Sequence, residues 1–302
     1  MIDDPERMTP ERIHRSVLLP ETMDRLVTDP DGTYVDGTLG AGGHAEALLE
    51  KLSGKGRLIG IDCDPDILAM ARARLRRFGE RAIFIYGHFD RLREIIMSLQ
   101  TENISGVLVD LGMSSFQVDR PERGFSFRGD GPLDMRMDPA GEATAASLIR
   151  SLPEGELERI LRDLGEEPFA GRIARAIVQE RRRSPIETTA HLARLVAASA
   201  PRRGRIHPAT RTFQALRITV NDELGRLDRF LAQAPGCLKP GGRMAVLSYH
   251  SLEDRRVKGS LLQWEREGVL KRITRKAVKP QRAEILSNPR SRSAKLRVAE
   301  KQ

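Results

Sequence analysis

The chain has 302 residues, 39% of them hydrophobic and 31% charged, which is a composition typical of soluble globular proteins. No apolar run approaches the roughly 18–20 residues of a membrane span, and the charged N-terminal stretch lacks the apolar core of a signal peptide, so we expect a cytoplasmic protein with no membrane association. Lys and Arg outnumber Asp and Glu by 51 to 42, which favours a polyanionic partner such as nucleic acid.

Strand and helix patterns alternate over the first third of the chain. Apolar runs typical of strands lie at 33–38, 56–64, 81–89 and 104–112. Helical spacing of apolar residues follows the first three of these runs, at 44–52, 65–78 and 90–99. Alternation of this kind predicts an α/β fold with a doubly wound parallel sheet.

A long interval then interrupts the alternation. About 130 residues separate the fourth strand from the next one, where a single crossover needs about 30. Within this interval, helical patterns lie at 154–165, 169–183 and 188–200. We therefore expect a helical domain, residues 117–213, inserted into a sheet domain that comprises residues 1–116 and 214–302.

Three more strands are predicted after the insertion. A glycine turn leads into a strand at 239–251, and runs at 269–278 and 293–301 can supply two closing strands. Cys63 and Cys237 lie in or beside such elements and are expected to be buried. Two distant cysteines suggest neither a disulfide framework nor a zinc site, and no metal site is predicted.

A glycine-rich turn, GAGGHAE at 40–46, joins the first strand to the first helix. Glycine lets a ligand approach the backbone closely, and the helix that follows offers free N–H groups. A P-loop would need a Gly-Lys-Ser/Thr ending, which this turn lacks. The relaxed form of the dinucleotide fingerprint does fit, through Gly40, Gly42 and Ala45, and stays open.

Two aspartates favour S-adenosylmethionine as the ligand of this turn. Asp36 ends the first strand, and its carboxylate would oppose a pyrophosphate but suits the cationic methionine end of the methyl donor. Asp62 ends the second strand, where it can accept hydrogen bonds from the ribose hydroxyls of either ligand. The spacing Asp36-x-Thr38-x-Gly40-x-Gly42 resembles the first motif of class I methyltransferases, so the methyl donor is favoured over a nicotinamide.

Three further residues lie near the expected ligand. His44 can contact the donor or merely pack at the start of its helix, and Phe89, at the end of the third strand, can stack on an adenine or belong to the core. Asp110 ends the fourth strand, where this fold brings the transferable methyl group. A cytosine-C5 methyltransferase would need a cysteine nucleophile there, and the stretch that follows the fourth strand has no cysteine. Direct displacement onto nitrogen or oxygen is left, and either Asp110 or the backbone carbonyls near Leu111 and Gly112 can hold an exocyclic amine.

Six long motifs are similar to those of the bacterial 16S rRNA cytosine-N4 methyltransferases, the MraW family. They are HRSVLLPETMDRL from His14, DGTLGAGGHA, DLGMSSFQVDRPERGFSFRGDGPLDMRMDP, HPATRTFQALRITVNDEL, LKPGGRMAVLSYHSLEDRRVK and NPRSRSAKLRVAE. The resemblance implies methylation of a cytidine in the decoding region of small-subunit rRNA, with an inserted helical domain. We expect this domain to be basic and to help hold the RNA. The resemblance places the donor, S-adenosylmethionine, at Gly42, Gly43, His44, Asp62, Phe89, Asp110 and Gln117. Gln117 and the choice of Gly43 come from the resemblance alone.

The chain departs from the family pattern in a few places. Ala45 stands where the family often has Ser, and Tyr249 stands where Phe is common. The segment between Trp264 and Asn288 is shorter than in some members, which leaves the role of this segment open.

Four residues outside the donor site are candidates for substrate binding. Arg211 and Arg217 lie on a helix predicted from about Ala209 and can contact phosphate, and a solvated or ion-paired face is the alternative. Ser248 and His250 follow the fifth strand and border the expected acceptor pocket. His250 can act as an acid or base, or it can simply stabilise the turn.

Two other functions stay open. The first is a non-catalytic ribosome-assembly factor that only binds RNA, against which the intact glycine turn, Asp62 and Asp110 argue. The second is an NAD-dependent oxidoreductase, which would bind NAD in place of the methyl donor.

Overall fold

The computed structural model describes residues 16–201 and 207–302; the charged N-terminal stretch and His14 lie outside them. The chain divides into two compact units, the first Met1–Gly112 with Arg229–Gln302, the second Met113–Asp228. The second unit is longer than the expected insertion at 117–213, because the helix Ala209–Asn221 packs its apolar side chains into the core of that unit.

The first unit contains a seven-stranded sheet, and its order confirms the doubly wound α/β fold. The strand order is β3-β2-β1-β4-β5-β7-β6; β1 to β5 run parallel, and β7 is antiparallel to both β5 and β6. The strands are β1 Thr33–Asp36, β2 Arg57–Asp62, β3 Ala82–Tyr86, β4 Ile104–Asp110, β5 Leu238–Ser248, β6 Leu270–Arg272 and β7 Lys295–Lys301. Both closing strands predicted from the sequence are present.

Helices lie in the chain before, within and after the second unit. Before it lie α1 Leu19–Leu26, α2 Gly43–Lys51, α3 Pro65–Leu75 and α4 Leu92–Ser98; within it lie α5 Ser115–Asp119, α6 Ala145–Ser151, α7 Glu154–Asp163, α8 Ala170–Arg181, α9 Thr189–Ser199 and α10 Ala209–Asn221. The division falls within α11 Glu223–Gln233, which is followed by α12 Ser251–Arg266 and α13 Arg282–Ser287. In the ranges 16–201 and 207–302, no helix combines the length and the apolar character needed to cross a bilayer.

The centre of the sheet is apolar on both faces, as expected for parallel strands covered by helices. Val35 in β1 and Val107, Leu108 and Val109 in β4 are fully buried. Gly106 pairs with the buried Tyr34 in the register between these strands, and a Cβ on Gly106 would lie 2.8 Å from the Tyr34 ring. The two central strands therefore pack tightly and fix the positions of the residues that follow their last apolar pairs.

The second unit has a hydrophobic core of its own. This core joins α6 to α10 with the loop that precedes them, and its largest buried members are Phe125, Met135, Leu157, Ile173 and Phe213. A cluster of this size is what a helical bundle needs for its own stability. The long interval in the sequence is thus a folded unit rather than an extended loop.

Candidate functional site

The carboxyl ends of three neighbouring strands each carry an aspartate. Asp36 ends β1, Asp62 ends β2 and Asp110 ends β4, and β1 lies between the other two. Parallel neighbours end at the same edge of a sheet, so the three carboxylates share that edge. In doubly wound sheets ligands bind outside this edge, where the strand order reverses.

The glycine turn lies at the same edge, between β1 and α2. Gly40 (φ 54°) and Gly42 (φ 82°) adopt the left-handed conformation that favours glycine. The Gly40 N–H donates to Asp62 Oδ2 (2.9 Å), and the Thr38 N–H donates to Asp36 Oδ1 (3.2 Å). The two aspartates singled out in the sequence therefore hold the turn, and they leave its backbone open to a ligand.

Burial makes both of these carboxylates reluctant to ionise. The pKa of Asp36 is raised to about 7, chiefly by burial and then by the negative charges of Asp110 and Asp62, although the Thr38 hydrogen bond opposes the rise. The pKa of Asp62 is raised to about 6, again chiefly by burial, against hydrogen bonds from Gly40 and Asp64. A cationic ligand at this edge would offset the cost of charging them.

His44 lies at the start of α2 with its ring buried. Burial lowers the pKa of His44 to about 4, so the ring is neutral at neutral pH. His44 Nε2 lies 3.0 Å from the carbonyl oxygen of Val17, which can only accept, so Nε2 carries the hydrogen and donates. Nδ1 is then an acceptor, and it lies 3.6 Å from Asp110 Oδ2. Two acceptor atoms thus face each other at the end of β4.

Asp110 is held from two sides. Its backbone N–H donates to Thr38 Oγ1 (2.6 Å), and its Oδ1 accepts from the hydroxyl of Tyr249 (2.7 Å). Burial and the neighbouring charge of Asp110 raise the pKa of Tyr249 well above its usual value, so the hydroxyl stays protonated and donates. The carboxylate of Asp110 is about one-fifth exposed, which leaves it accessible to a ligand.

Phe89 follows β3 and lies close to Gly37, directly after β1. Its ring packs edge-to-face on Phe230, with the ring centres 5.6 Å apart, and a Cβ on Gly37 would lie 3.0 Å from its Cβ. The ring is partly exposed, so one side packs on the core while the rest can still meet a ligand. Stacking on adenine stays a prediction.

Gln117 belongs to the second unit, in the short helix α5. Its backbone N–H donates to Ser114 Oγ (3.2 Å), and its side-chain oxygen accepts from the Ser114 N–H (3.1 Å), so the two residues cap the start of the helix. The side chain is buried. The resemblance implies donor binding for Gln117, and that role stays a prediction.

The two candidate arginines of α10 have different surroundings. Arg217 makes a two-pronged ion pair with Glu223, with Nε to Oε1 at 2.7 Å and Nη2 to Oε2 at 2.9 Å, and both side chains are only about one-tenth exposed. This is the ion-paired alternative considered from the sequence. Arg211 is exposed and is the better candidate for contact with phosphate.

Ser248 and His250 make structural contacts. Ser248 is buried, and its hydroxyl donates to the carbonyl oxygen of Lys295 (3.5 Å) in β7. His250 begins α12: its Nδ1 accepts from the Glu253 N–H (3.4 Å), while Glu253 Oε2 accepts from the N–H groups of Tyr249 (2.7 Å) and His250 (3.2 Å). His250 therefore has the contacts of a turn-stabilising residue, and substrate binding by either residue stays a prediction.

Two residues at this edge were not singled out from the sequence. Thr38 and Tyr249 both hold Asp110, one through the backbone and one through the carboxylate. Tyr249 carried a signal, because it departs from the family pattern directly after a strand end. Thr38 lies inside the glycine-turn motif, where its spacing alone gives no indication of its partner.

Comparison with known proteins gives a family match and close relatives. The model of the MraW methylase family matches residues 11–302. Ribosomal RNA small subunit methyltransferase H of Trichlorobacter lovleyi is 49% identical, covering 95% of this chain and 98% of its own. Proteins of the same name from Thioalkalivibrio sulfidiphilus and Heliobacterium mobile are 48% and 46% identical; the alignments cover 97% and 95% of this chain and 98% of each relative.

Proposed function

Because this chain belongs to the MraW methylase family, we propose that it transfers the methyl group of S-adenosylmethionine to the exocyclic N4 of a cytidine in the decoding region of 16S rRNA. The observation that carries the proposal is the group of three aspartates around the glycine turn, at the ligand-binding edge of the sheet. The shared name of the relatives specifies small-subunit ribosomal RNA and supports this acceptor. Such a substrate places the protein in the cytoplasm.

The donor fits the chemistry of this edge. Its cationic methionine end would favour the ionised form of Asp36, which burial otherwise disfavours. Asp62 would accept hydrogen bonds from the ribose, and Phe89 would stack on the adenine. The donor supplies an electrophilic methyl group to an attacking nitrogen. The residues that would hold it are Gly42, Gly43, His44, Asp62, Phe89, Asp110 and Gln117.

The acceptor amine needs help because its lone pair is delocalised into the cytosine ring. Asp110 Oδ2 and the acceptor nitrogen of His44, Nδ1, lie 3.6 Å apart, so one amino group can donate a hydrogen to each. Hydrogen bonds of this kind hold the amine in the orientation for displacement and withdraw none of its lone pair. Catalysis is then mostly positioning, and the nitrogen can lose its proton after the transfer.

The second unit is proposed to help hold the RNA. It presents the exposed Arg211 on α10, and phosphate contacts from arginine supply affinity without sequence selection. Base selection would then depend on the pocket at the carboxyl edge of the first unit.

The proposal is tested by transfer of labelled methyl groups from S-adenosylmethionine to small ribosomal subunits from a strain that lacks this protein. We expect N4-methylated cytidine, identified by mass spectrometry of the digested RNA. Tight donor binding without incorporation into subunits or naked rRNA would contradict the acceptor and favour an RNA-binding assembly factor. Binding of NAD in preference to the methyl donor would favour an oxidoreductase.

The raised pKa of Asp36 predicts pH-dependent donor binding. A cation binds ionised Asp36 better than protonated Asp36, so affinity should rise as pH increases through about 7. The increase is expected to reach at most about tenfold per pH unit below that value. Calorimetric titration of wild type and Asp36→Asn with the donor from pH 5.5 to 8.5 measures this change in affinity. The amino group of the donor titrates equally in both experiments, so the difference between the two pH curves belongs to Asp36. Parallel pH curves for the two proteins would contradict the prediction.

In the absence of donor, the raised pKa of Asp36 also makes the stability of the protein depend on pH. A folded-state pKa above the unfolded value of 3.8 means that protonated Asp36 contributes stability below pH 4, and that this contribution is lost as pH rises through about 7. Asp36→Asn should therefore raise the melting temperature of the free protein more at pH 8 than at pH 5. Thermal denaturation at the two pH values measures the difference.

The hydroxyl of Tyr249 predicts a modest kinetic effect. Tyr249→Phe removes the hydrogen bond to Asp110 and keeps the ring, so the carboxylate loses both a partner and a preferred orientation. We expect kcat to fall roughly 3- to 10-fold, and the acid limb of the pH–rate profile to move to higher pH, because the charged carboxylate has lost a donor. Steady-state kinetics with saturating donor at several pH values test both.

Tyr34→Phe provides a matched control for this change. Tyr34 is buried, and its hydroxyl forms hydrogen bonds with backbone atoms of Thr28 and Asp29. It lies opposite Gly106, four residues before Asp110. This variant should lose stability and keep its pH profile. If Tyr249→Phe shows an unchanged acid limb as well, Tyr249 is a packing residue and does not position Asp110.

A further inference from the structure

The net positive charge of the chain is concentrated at its C-terminal end. Residues 271–302 contain eleven Lys and Arg and two carboxylates, a net charge of +9, which equals that of the whole chain. Residues 1–270 contain forty basic and forty acidic side chains. The second unit, 113–228, has nineteen arginines against seventeen carboxylates and is nearly balanced. The general excess of basic residues therefore does not belong to the inserted helices.

Some of these C-terminal cations have structural partners. Arg272 pairs with Glu265 (2.6 Å), and Lys295 and Arg297 both pair with Asp254 (2.9 and 2.7 Å). Six more lie in residues 275–292, which we call the basic segment; it contains α13 and most of the 3-10 helix Pro289–Ser293. Its exposed cations are Arg275, Lys276, Lys279, Arg282, Arg290 and Arg292. An array of exposed cations on one short segment is the usual footprint of a polyanion site.

The basic segment contains one carboxylate, and that carboxylate faces inward. Glu284 is half-buried and accepts a hydrogen bond from the Leu18 N–H (2.8 Å). The neighbouring Val17 carbonyl accepts from His44, so this contact joins α13 to the residues beside Asp110. The negative charge of Glu284 also opposes the lowering of the His44 pKa by burial and adds to the raising of the Tyr249 pKa. α13 therefore borders the candidate active site.

Backbone contacts fix the segment on the sheet. Val278 exchanges two hydrogen bonds with Leu296 of β7, each 2.9 Å long, and the hydroxyl of the buried Ser291 donates to the Asn288 carbonyl (2.8 Å). The cations are thus presented from an anchored scaffold in the same unit as Asp110. Anchoring lowers the conformational entropy that the segment would lose on binding.

We propose that the basic segment is a docking surface for the phosphate backbone of the RNA substrate. The inference rests on the proposed function, because the RNA that is methylated at the candidate site is also the molecule that would contact the basic segment. Phosphates flanking the target cytidine would lie on Lys276, Arg282 and Arg292 while the base enters the pocket at Asp110. Two observations favour RNA over a membrane as the partner. α13 borders the site that would bind the base, and Leu286 is the one exposed large hydrophobic residue in this part of the described chain, so the segment offers little apolar surface to a membrane.

The test uses two full-length triple variants with equal loss of charge. One replaces Lys276, Arg282 and Arg292 with Gln; the control replaces the exposed Lys55, Arg57 and Arg76, which lie at or near the amino edge of β2, opposite the pocket. Affinity for protein-free small-subunit rRNA is measured between 50 and 300 mM KCl, and KM and kcat are measured with small subunits. Donor affinity and melting temperature report on folding.

The basic-segment variant should lose at least tenfold in RNA affinity at 150 mM KCl. A plot of log affinity against log salt concentration should become less steep by roughly 2. This change corresponds to the loss of three phosphate contacts, each of which contributes about 0.7 to the slope for single-stranded RNA. KM should rise, while kcat at saturating subunits stays within about twofold. The control variant should remain within threefold of wild type in affinity.

Affinity of the basic-segment variant within twofold of wild type would overturn the proposal, as would equal losses in the two variants. Loss of binding to phosphatidylglycerol vesicles, with RNA affinity unchanged, would assign the segment to a membrane instead. If the triple variant does not fold, Lys276→Gln and Arg282→Gln are measured singly against Lys55→Gln and Arg57→Gln. Wild-type protein that binds RNA but methylates nothing would count against the proposed function. If the wild type is active but the basic-segment variant keeps its RNA affinity, only this inference is contradicted.

Discussion

Asp110→Ala is expected to lower the single-turnover rate of methyl transfer by roughly 10²–10³-fold, the range found when one preorganised polar group is removed from an active site. The carboxylate ends the central strand β4, is fixed through Oδ1 by Tyr249, and directs Oδ2 towards the acceptor nitrogen of His44. Without it the target amine loses the acceptor that orients it. Transfer of labelled methyl groups to small subunits, with enzyme in excess, measures the rate.

Asp110→Asn separates two roles of this side chain. An amide oxygen can still accept a hydrogen bond from the amine but cannot take its proton at neutral pH. A positioning role therefore predicts a smaller loss for Asn than for Ala, about tenfold, whereas a general base predicts similar losses. Retention of more than a third of the wild-type rate by Asp110→Ala would remove Asp110 from the mechanism. Donor affinity, measured by calorimetry, checks that the site is otherwise intact.

The second large effect is expected from Asp62→Ala, which should weaken donor binding. Oδ2 of Asp62 accepts from the Gly40 N–H (2.9 Å) and Oδ1 accepts from the Asp64 N–H (3.0 Å), so this carboxylate fixes the glycine turn in addition to its proposed contact with the ribose. Loss of hydrogen bonds to a charged group costs about 3 kcal/mol, which is a rise in Kd of roughly 10²-fold. At saturating donor most of the methyl-transfer rate should return.

Asp64→Asn is the matched control for that variant. Asp64 is buried and lies two residues further on, but its Oδ1 accepts from the Asp66 N–H at the start of α3 (3.1 Å), and Asn preserves such a cap. This change should leave donor affinity within threefold of wild type. A Kd for Asp62→Ala within fivefold of wild type, in a protein with normal melting behaviour, would show that Asp62 does not contact the donor.

The sequence patterns that predicted the strand ends and the glycine turn are local ones. Strand alternation places Asp36, Asp62 and Asp110 at strand ends, and parallel strands bring their ends to one edge. The glycines that precede α2 indicate a turn with positive φ, and Gly40 and Gly42 have it. These features depend on a few consecutive residues and on the handedness of strand–helix–strand units, so they can be predicted from sequence.

The contacts that sequence could not supply depend on how the chain folds back on itself. The Tyr249 hydroxyl meets Asp110 from 139 residues further along the chain, and nothing in either neighbourhood specifies that pair. Arg217 pairs with Glu223 because Asp222 (φ 47°) ends α10 and turns the chain between the two. The division of the units likewise depends on how α10 packs: its apolar residues join the core of the second unit, and their spacing in the sequence does not specify which core they join.

The insertion of the second unit between paired strands has a consequence for the order of folding. β4 and β5 pair in parallel, with Asp110 opposite Leu247, yet the whole unit Met113–Asp228 lies between them in the chain. Closing a long flexible loop costs more entropy than closing a short one. Once the helices of the insertion have collapsed on their own core, the two strands are tethered by a compact body. Early formation of the inserted unit would therefore speed the pairing of β4 with β5, and a slow-folding insertion would leave the edge of β4 exposed to aggregation.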